Sequence, residues 1–249
     1  MTRPLFISTF CCIDESLASA LATLSERTTH VEILSDGLHD ILSDTTPCLD
    51  YPLSYSVHAP TSEINIAAVN ERMRQASMAV LDDTMAACAR IGADHLVVHP
   101  GFASYGQVRG RSHAALLRSL DEIVPLQDEH GVRACVENMG SWECCHFRGP
   151  KFMGELALRG LGCTLDVGHA RLNGNLAAFL AAGGFCHVHL HDNHGTNDDH
   201  AACGEGTVDF PAVLPQIPKN AALVIETREL AAADKSCCYL ASLFNGEPE

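Results

Sequence analysis

Hydrophobic and polar positions follow one repeating pattern along the chain. Apolar runs of six to eight residues predict β-strands, and most of the segments between them have the 3.6-residue period of amphipathic helices. The eight predicted strands span 4–10, 30–35, 55–60, 95–100, 132–138, 163–169, 185–192 and 222–227.

Capping residues mark several of the predicted helices. Ser16 is a good N-cap for the first helix, and Gly92 and Gly131 are natural C-caps for two longer ones. The predicted helices span 16–27, 70–91, 111–130, 151–159, 174–182 and 229–244. The remaining crossover, 36–54, is the weakest and predicts only a short helix.

Eight strands alternating with helices in 249 residues predict a single (β/α)₈ barrel. The alternative is a doubly wound open sheet, which usually carries a glycine-rich phosphate-binding turn after its first strand. The corresponding turn here reads FCCIDES and contains no glycine. We therefore favour an α/β fold with one barrel.

The barrel is expected to form one domain over residues 1–249, because the chain has no linker or low-complexity tract. No apolar run approaches the roughly 18 residues that a membrane-spanning helix needs, so no membrane partner is expected. The first apolar run stops at Asp14 and Glu15, before any small-residue cleavage site. A first strand explains that run better than a signal peptide.

The charge balance argues against a polyanionic partner. Sixteen basic residues face 31 acidic ones, which gives a formal net charge of -15. Residues 28–71 contain seven acids and no Lys or Arg. Proteins that bind a phosphate backbone normally present a basic face, so we expect no nucleic-acid partner.

Twelve cysteines suggest either a disulfide framework or buried thiols. No CxxC motif occurs, and several cysteines lie inside predicted strands, as in RACVEN and FCHVHL. A chain of this length seldom needs disulfides. We favour small buried side chains in a reducing cytoplasm, with a disulfide framework as the alternative.

Side chains that bind metals stand at the ends of the last six predicted strands. They are His58, His99, Glu137, Asp166 followed by His169, His189, and Glu226. A lone histidine at a strand end is more often a hydrogen-bonded core or rim residue than a ligand. Six equivalent positions reverse that expectation, because strand ends of a barrel converge on one mouth. Imidazole and carboxylate groups around one cavity predict a divalent-metal site.

The segment after the seventh strand adds two candidate ligands. Asp198 and His200 lie two residues apart and precede the flexible sequence Gly204-Glu205-Gly206. A solvated acidic loop is the alternative interpretation of this segment.

These motifs together resemble the xylose isomerase-like barrel superfamily, which includes endonuclease IV and sugar isomerases and epimerases. The matching motifs are HAP at 58–60, HPG at 99–101, EN at 137–138, DVGH at 166–169, HLHD at 189–192, DDH at 198–200 with GEG, and IET at 225–227. They occur in the expected order and cover most of the chain.

The resemblance implies two possible kinds of metal site. The epimerase type holds one divalent ion, and the matching ligands here are Glu137, Asp166, His189 and Glu226. The endonuclease IV type holds three zinc ions, and its further ligands match His58, His99, His169, Asp198 and His200. Zinc is the expected ion for histidine-rich ligation, with manganese or iron as alternatives.

Three functions follow from these sites. The favoured one is an isomerase or epimerase of a sugar or sugar phosphate, acting on a small polyhydroxy substrate. Glu137 and Glu226 would form the acid/base pair while binding the metal, and His169 would contact a substrate oxygen. The alternatives are a trinuclear-zinc phosphodiesterase that cleaves abasic DNA, and a non-catalytic metal-holding barrel that binds a sugar.

Phosphate recognition by the mouth would need basic groups there. The candidates are Arg109, Arg111, Arg148, Lys151 and Arg171, and each is better interpreted as a solvated loop charge. Trp142, the only tryptophan, follows Glu137 closely and could stack on a sugar ring or anchor a packed loop.

Overall fold

Eight parallel strands close into one barrel in the computed structural model, which describes residues 4–245. Each strand pairs with the next along the chain, and β8 pairs with β1. The strands are β1 Leu5–Ser8, β2 His30–Leu34, β3 Ser54–His58, β4 His95–Val98, β5 Arg133–Glu137, β6 Gly162–Asp166, β7 His187–Leu190 and β8 Ala222–Ile225. The (β/α)₈ prediction is therefore confirmed.

Helices connect the strands and cover the outside of the barrel. They are α1 Leu17–Ser25, α2 Thr46–Leu49, α3 Glu71–Ile91, α4 Arg109–His130, α5 Met153–Ala157, α6 Val167–Leu172, α7 Leu176–Ala182, α8 Phe210–Val213 and α9 Leu230–Asn245. Ser16 caps α1 by accepting a hydrogen bond from the Ser19 amide. Gly92 and Gly131 end α3 and α4 in the left-handed conformation, as predicted.

The main apolar core lies between the barrel and its helices. Outward-facing strand residues such as Val57 and Leu165 are fully buried there. They pack with helix residues such as Leu21, Leu81 and Phe179, which are also fully buried. Burial on both faces explains why the strands are nearly continuous apolar runs.

Several predicted strand boundaries differ from the structure, and the sixth strand shows the reason. The sixth strand was expected to reach residue 169, but β6 ends at Asp166 and His169 lies in α6. Asp166 causes this change, because its side chain accepts a hydrogen bond from the His169 amide and so begins a helix. The weak crossover 36–54 holds only short elements, as expected, namely a 3₁₀ turn, Gly37–His39, and the one-turn helix α2.

Most of the cysteines are small buried side chains, as expected. All twelve are free thiols in the part of the chain that the structure describes, and seven are buried. Within residues 4–245, no helix is both long enough and apolar enough to cross a bilayer.

Candidate metal centre

The structure brings all the sequence-predicted ligands together at the carboxyl end of the barrel. His58, Glu137 and Asp166 are the last residues of their strands, and His189 lies one residue before the end of β7. The remaining ones follow strand ends directly or lie on the segments beyond them, namely His99, His169, Asp198, His200 and Glu226. This is the end at which (β/α)₈ barrels build their active sites.

Four buried side chains form the centre of this arrangement. His189 Nδ1 lies 3.3 Å from Glu226 Oε2, 3.6 Å from Glu137 Oε1 and 3.7 Å from Asp166 Oδ2. Three carboxylates from three strands thus converge on one imidazole nitrogen. They are the four residues that the epimerase-type metal site predicts.

Two histidines approach the other side of Glu137. His58 Nε2 lies 3.0 Å and His99 Nε2 lies 3.2 Å from Glu137 Oε2. His58 Nδ1 donates to the Ala59 carbonyl, which leaves Nε2 to face the carboxylate. One carboxylate therefore joins two groups of candidate ligands.

A third group surrounds Asp198. Its Oδ2 lies 3.2 Å from His169 Nε2 and 3.0 Å from His200 Nε2. His200 has a φ of 45°, a left-handed conformation that is costly for a residue with a Cβ. Its Nδ1 donates to the Glu226 carbonyl, so the loop backbone is held in a shape that aims Nε2 at Asp198.

The donor atoms fit a divalent ion. His189 Nδ1 and Asp198 Oδ1 are buried and have no hydrogen-bond partner among residues 4–245. Burial alone would raise the pKa of Glu137, but the charges of His189 and His99 hold it well below its usual range. The carboxylate is thus ionised in a dry site, where it must be paired or metal-bound. Imidazole nitrogens with carboxylate oxygens are a suitable donor set for zinc.

Local packing explains the DVGH sequence. Asp166 accepts from the His169 amide, and its carboxylate oxygens both lie 3.1 Å from His191 Nε2. A Cβ on Gly168 would overlap the His191 ring, so glycine is required for this close approach. Asn138 fixes the same strand end by exchanging two hydrogen bonds with the Asp166 backbone.

Asp192 organises the loop that carries Asp198 and His200. Its carboxylate accepts hydrogen bonds from the amides of Gly204, Gly206 and Val208. An isolated antiparallel bridge pairs Asp192 with Ala201. The acidic loop is thus held against the barrel. This arrangement differs from the alternative interpretation, in which the loop is freely solvated.

Three buried residues of this region were missed from the sequence. Glu32 on β2 lies 2.7 Å from His187 Nε2 and 2.9 Å from His189 Nε2. The latter pair is close, but its alignment falls short of a hydrogen bond. The signal was present, because Glu32 interrupts an apolar strand as Glu137 does. His187 and His191 are each two residues from His189, and side chains two apart in a strand point to the same face, so this spacing was also a signal.

A cavity of about 160 Å³ opens above the candidate ligands. Phe10, Leu34, Met139 and Trp142 form its apolar wall, and the Trp142 ring lies 5.5 Å from that of His169. None of the five basic candidates lines this cavity in the described part of the chain. Arg109, Arg148 and Arg171 instead bind loop atoms. The interpretation of these three as loop charges fits the structure.

Known proteins resemble this chain over nearly its whole length. An uncharacterized protein of Methanocaldococcus jannaschii, MJ1614, is 32% identical over 93% of this chain and 94% of its own. The crystal structure of a D-tagatose 3-epimerase-like protein is 27% identical, with a TM-score of 0.89 and 97% of each chain covered. The IOLI protein with bound zinc superposes with a TM-score of 0.81 at 15% identity, over 96% of this chain and 97% of its own. The family profile described as xylose isomerase-like TIM barrel matches residues 47–242, and the chain therefore belongs to that family.

Proposed function

We propose that this protein is a divalent-metal-dependent isomerase or epimerase of a small polyhydroxy substrate. The observation that carries the proposal is the convergence of Glu137 and Glu226 on His189 from β5 and β8. Two carboxylates that reach one centre from two different strands suit proton transfer at a carbon next to a carbonyl. Similarity to a D-tagatose 3-epimerase-like protein at 27% identity supports the same reaction class.

Glu137, Asp166, His189 and Glu226 would hold the ion, which we propose to be zinc. A bound divalent ion polarises carbonyl and hydroxyl oxygens of a substrate and so acidifies the neighbouring C–H bond. Asp166 and His189 lie beneath the cavity, whereas Glu137 and Glu226 line it. Of these four residues, the two glutamates are therefore the ones that can exchange protons with a substrate.

Other residues of the cavity would position the substrate. His169 lines the cavity, and its Nδ1 faces the Asn138 carbonyl at 2.9 Å, so its Nε2 edge is directed towards Asp198 and the cavity. It would contact a substrate oxygen. Trp142 and Phe10 supply apolar faces on which the C–H face of a sugar could lie.

Exchange of substrate C–H with heavy water tests this reaction. Zinc-loaded protein is incubated with a panel of ketoses, aldoses and their phosphates, and deuterium incorporation is measured by mass spectrometry. We expect incorporation into at least one sugar and its loss in Glu137→Gln and Glu226→Gln, because an amide cannot accept the proton. Lys151→Ala, outside the cavity, is the matched control and should keep the wild-type rate.

A trinuclear-zinc phosphodiesterase is the second candidate. The observation in its favour is the division of the ligands into three groups, His58 and His99 with Glu137, the central four, and His169 and His200 with Asp198. The net charge of -15 opposes it, because a strongly acidic surface repels a polyanion before any chemistry begins.

Cleavage of a duplex that contains one abasic site distinguishes the two candidates. Metal-loaded protein that nicks this DNA at moderate salt, while no sugar incorporates deuterium, would replace the isomerase by the phosphodiesterase. Stoichiometric metal with neither activity, together with saturable sugar binding, would instead support a binding barrel.

A further inference from the structure

A second cluster of metal-binding side chains lies at the opposite, amino-terminal end of the barrel. It consists of His95 at the start of β4, Cys135 in β5 and Cys186 just before β7. One nitrogen and two sulfur donor atoms lie within 4.8 Å of one another, and the two sulfurs are 3.3 Å apart. We refer to these three residues as the thiol cluster.

The barrel makes room for the thiol cluster through Gly162. This glycine lies beside Cys135 in the register of β5 and β6. A Cβ at this position would lie 2.6 Å from Cys135 Sγ and 2.9 Å from Cys186 Sγ, which is closer than real contacts allow. Because Gly162 in β6 has no side chain, the sulfur of Cys135 in β5 and that of Cys186 just before β7 can meet across β6.

The protonation states of the thiol cluster suit a metal ion. The two thiols share a hydrogen bond, which outweighs burial and lowers the pKa of Cys186 to about 6. The same hydrogen bond, together with burial, holds the pKa of Cys135 well above its usual range. Burial and the neighbouring His187 lower the pKa of His95 to about 4. At neutral pH the cluster thus offers a thiolate at Cys186 and an uncharged imidazole at His95, which are forms that bind metals, while Cys135 must lose its proton when an ion binds.

The distances favour a metal over a disulfide. A disulfide requires sulfurs about 2.05 Å apart, so this pair would have to close by more than about 1 Å. Two thiolates on a tetrahedral zinc ion, at Zn–S bonds of about 2.3 Å, stand about 3.8 Å apart. The observed 3.3 Å needs to widen by only about 0.5 Å to reach that value.

We propose that His95, Cys135 and Cys186 bind one zinc ion at the amino-terminal end of the barrel. Binding releases the one remaining thiol proton, that of Cys135, to solvent and leaves a fourth position for water. Cys135 is buried, whereas His95 and Cys186 are partly exposed, so the ion can enter from outside. The ion would link β4 and β5 to the residue that precedes β7. In (β/α)₈ barrels this amino-terminal end contributes to stability, whereas active sites lie at the other end.

This site is chemically distinct from the candidate metal centre. The carboxyl-end ligands are nitrogen and oxygen atoms only, while the thiol cluster supplies two sulfurs. The Glu32–His187 pair lies between the two ends inside the barrel. The proposal therefore holds or fails independently of the isomerase proposal.

Cobalt substitution tests the thiol cluster directly. Reduced protein is stripped of metal with a chelator, loaded with Co²⁺ and examined by ultraviolet–visible absorption. Thiolate ligation gives an intense near-ultraviolet charge-transfer band, which nitrogen and oxygen ligands do not give. We expect this band in the wild type, its loss in Cys135→Ser and Cys186→Ser, and one zinc ion fewer per chain in both variants.

Two control variants separate the thiol cluster from other possible sites. Cys144→Ser removes a thiol of the neighbouring pair Cys144–Cys145, whose sulfurs are 4.0 Å apart, and should keep the band. Asp166→Asn weakens the carboxyl-end centre and should also keep it. A wild type without the band, or a band that persists in Cys186→Ser, overturns the proposal. Circular dichroism establishes that each variant is folded.

Discussion

Replacement of Glu32 by glutamine tests whether the missed carboxylate supports the metal centre from beneath. Glu32 is fully buried and faces three donors, namely His187 Nε2 at 2.7 Å, Ser56 Oγ at 2.9 Å and His189 Nε2 at 2.9 Å. If His189 binds metal through Nδ1, its Nε2 carries the proton, and Glu32 is the anion that faces this N–H. Glutamine keeps the shape but has one accepting oxygen and no charge.

The expected loss of affinity can be estimated from the number of donors. His187 and Ser56 face one oxygen of Glu32, and His189 faces the other. Glutamine has a single accepting oxygen, so either His189 loses its acceptor or His187 and Ser56 both do. Carboxylates that orient a metal-binding histidine typically contribute 10- to 100-fold to metal affinity. We therefore expect zinc affinity to fall by about 10- to 100-fold, which corresponds to about 1.4–2.7 kcal/mol.

Competition with a chromophoric chelator measures this change. Ser56→Ala is the matched control, because it removes one hydrogen bond from Glu32 and leaves the charge beside His189. We expect the control to change zinc affinity by less than about threefold, because the Glu32 charge and its approach to His189 Nε2 both remain. Zinc affinity in Glu32→Gln equal to that of the wild type would refute a supporting role for Glu32.

Two further predictions concern stability. Arg74 is only 1% exposed and bonds to Glu71, Glu122 and Ser119. Arg74→Ala should therefore lower the free energy of unfolding by about 2–3 kcal/mol. This loss is smaller than that for breaking a fully buried ion pair, because both acids reach solvent. Urea denaturation checks this, with the exposed Arg118→Ala expected to cost under about 1 kcal/mol. In His200, burial lowers the pKa, but the hydrogen bond to Asp198 and the charge of Glu226 raise it to about 9. The resulting stabilisation of metal-free protein is complete below about pH 6.5 and is lost as pH rises through 9, so the melting temperature should fall over that range in the wild type and less in Asp198→Asn.

Much of the fold could be predicted because the strands are buried on both faces. Runs such as HLVVHP have no helical period, and glycine caps such as Gly92 mark where helices end. Strand ends were less predictable, since they depend on local competition. DVGH continues an apolar run in sequence, but the Asp166 side chain captures the His169 amide and begins α6.

The candidate ligands could be predicted because strand ends in a barrel converge. Their supports could not be found from strand ends alone. Glu32 lies in the middle of β2, and its partner His187 comes from the far side of the barrel, 155 residues along the chain. The thiol cluster was likewise hidden, because its two cysteines meet across Gly162 and no CxxC spacing marks them.

Metal content with and without Asp166, compared in a Cys186→Ser background, tests the central claim most directly. Asp166 is fully buried at the heart of the candidate metal centre and does not line the cavity, so its loss acts on the ion before it acts on a substrate. Zinc-loaded proteins are desalted and measured by elemental analysis, with Cys186→Ser included so that the carboxyl-end ions can be counted without the thiol cluster. We predict at least one ion per chain in Cys186→Ser and none in Asp166→Ala/Cys186→Ser. Undiminished zinc in the double variant would contradict the account.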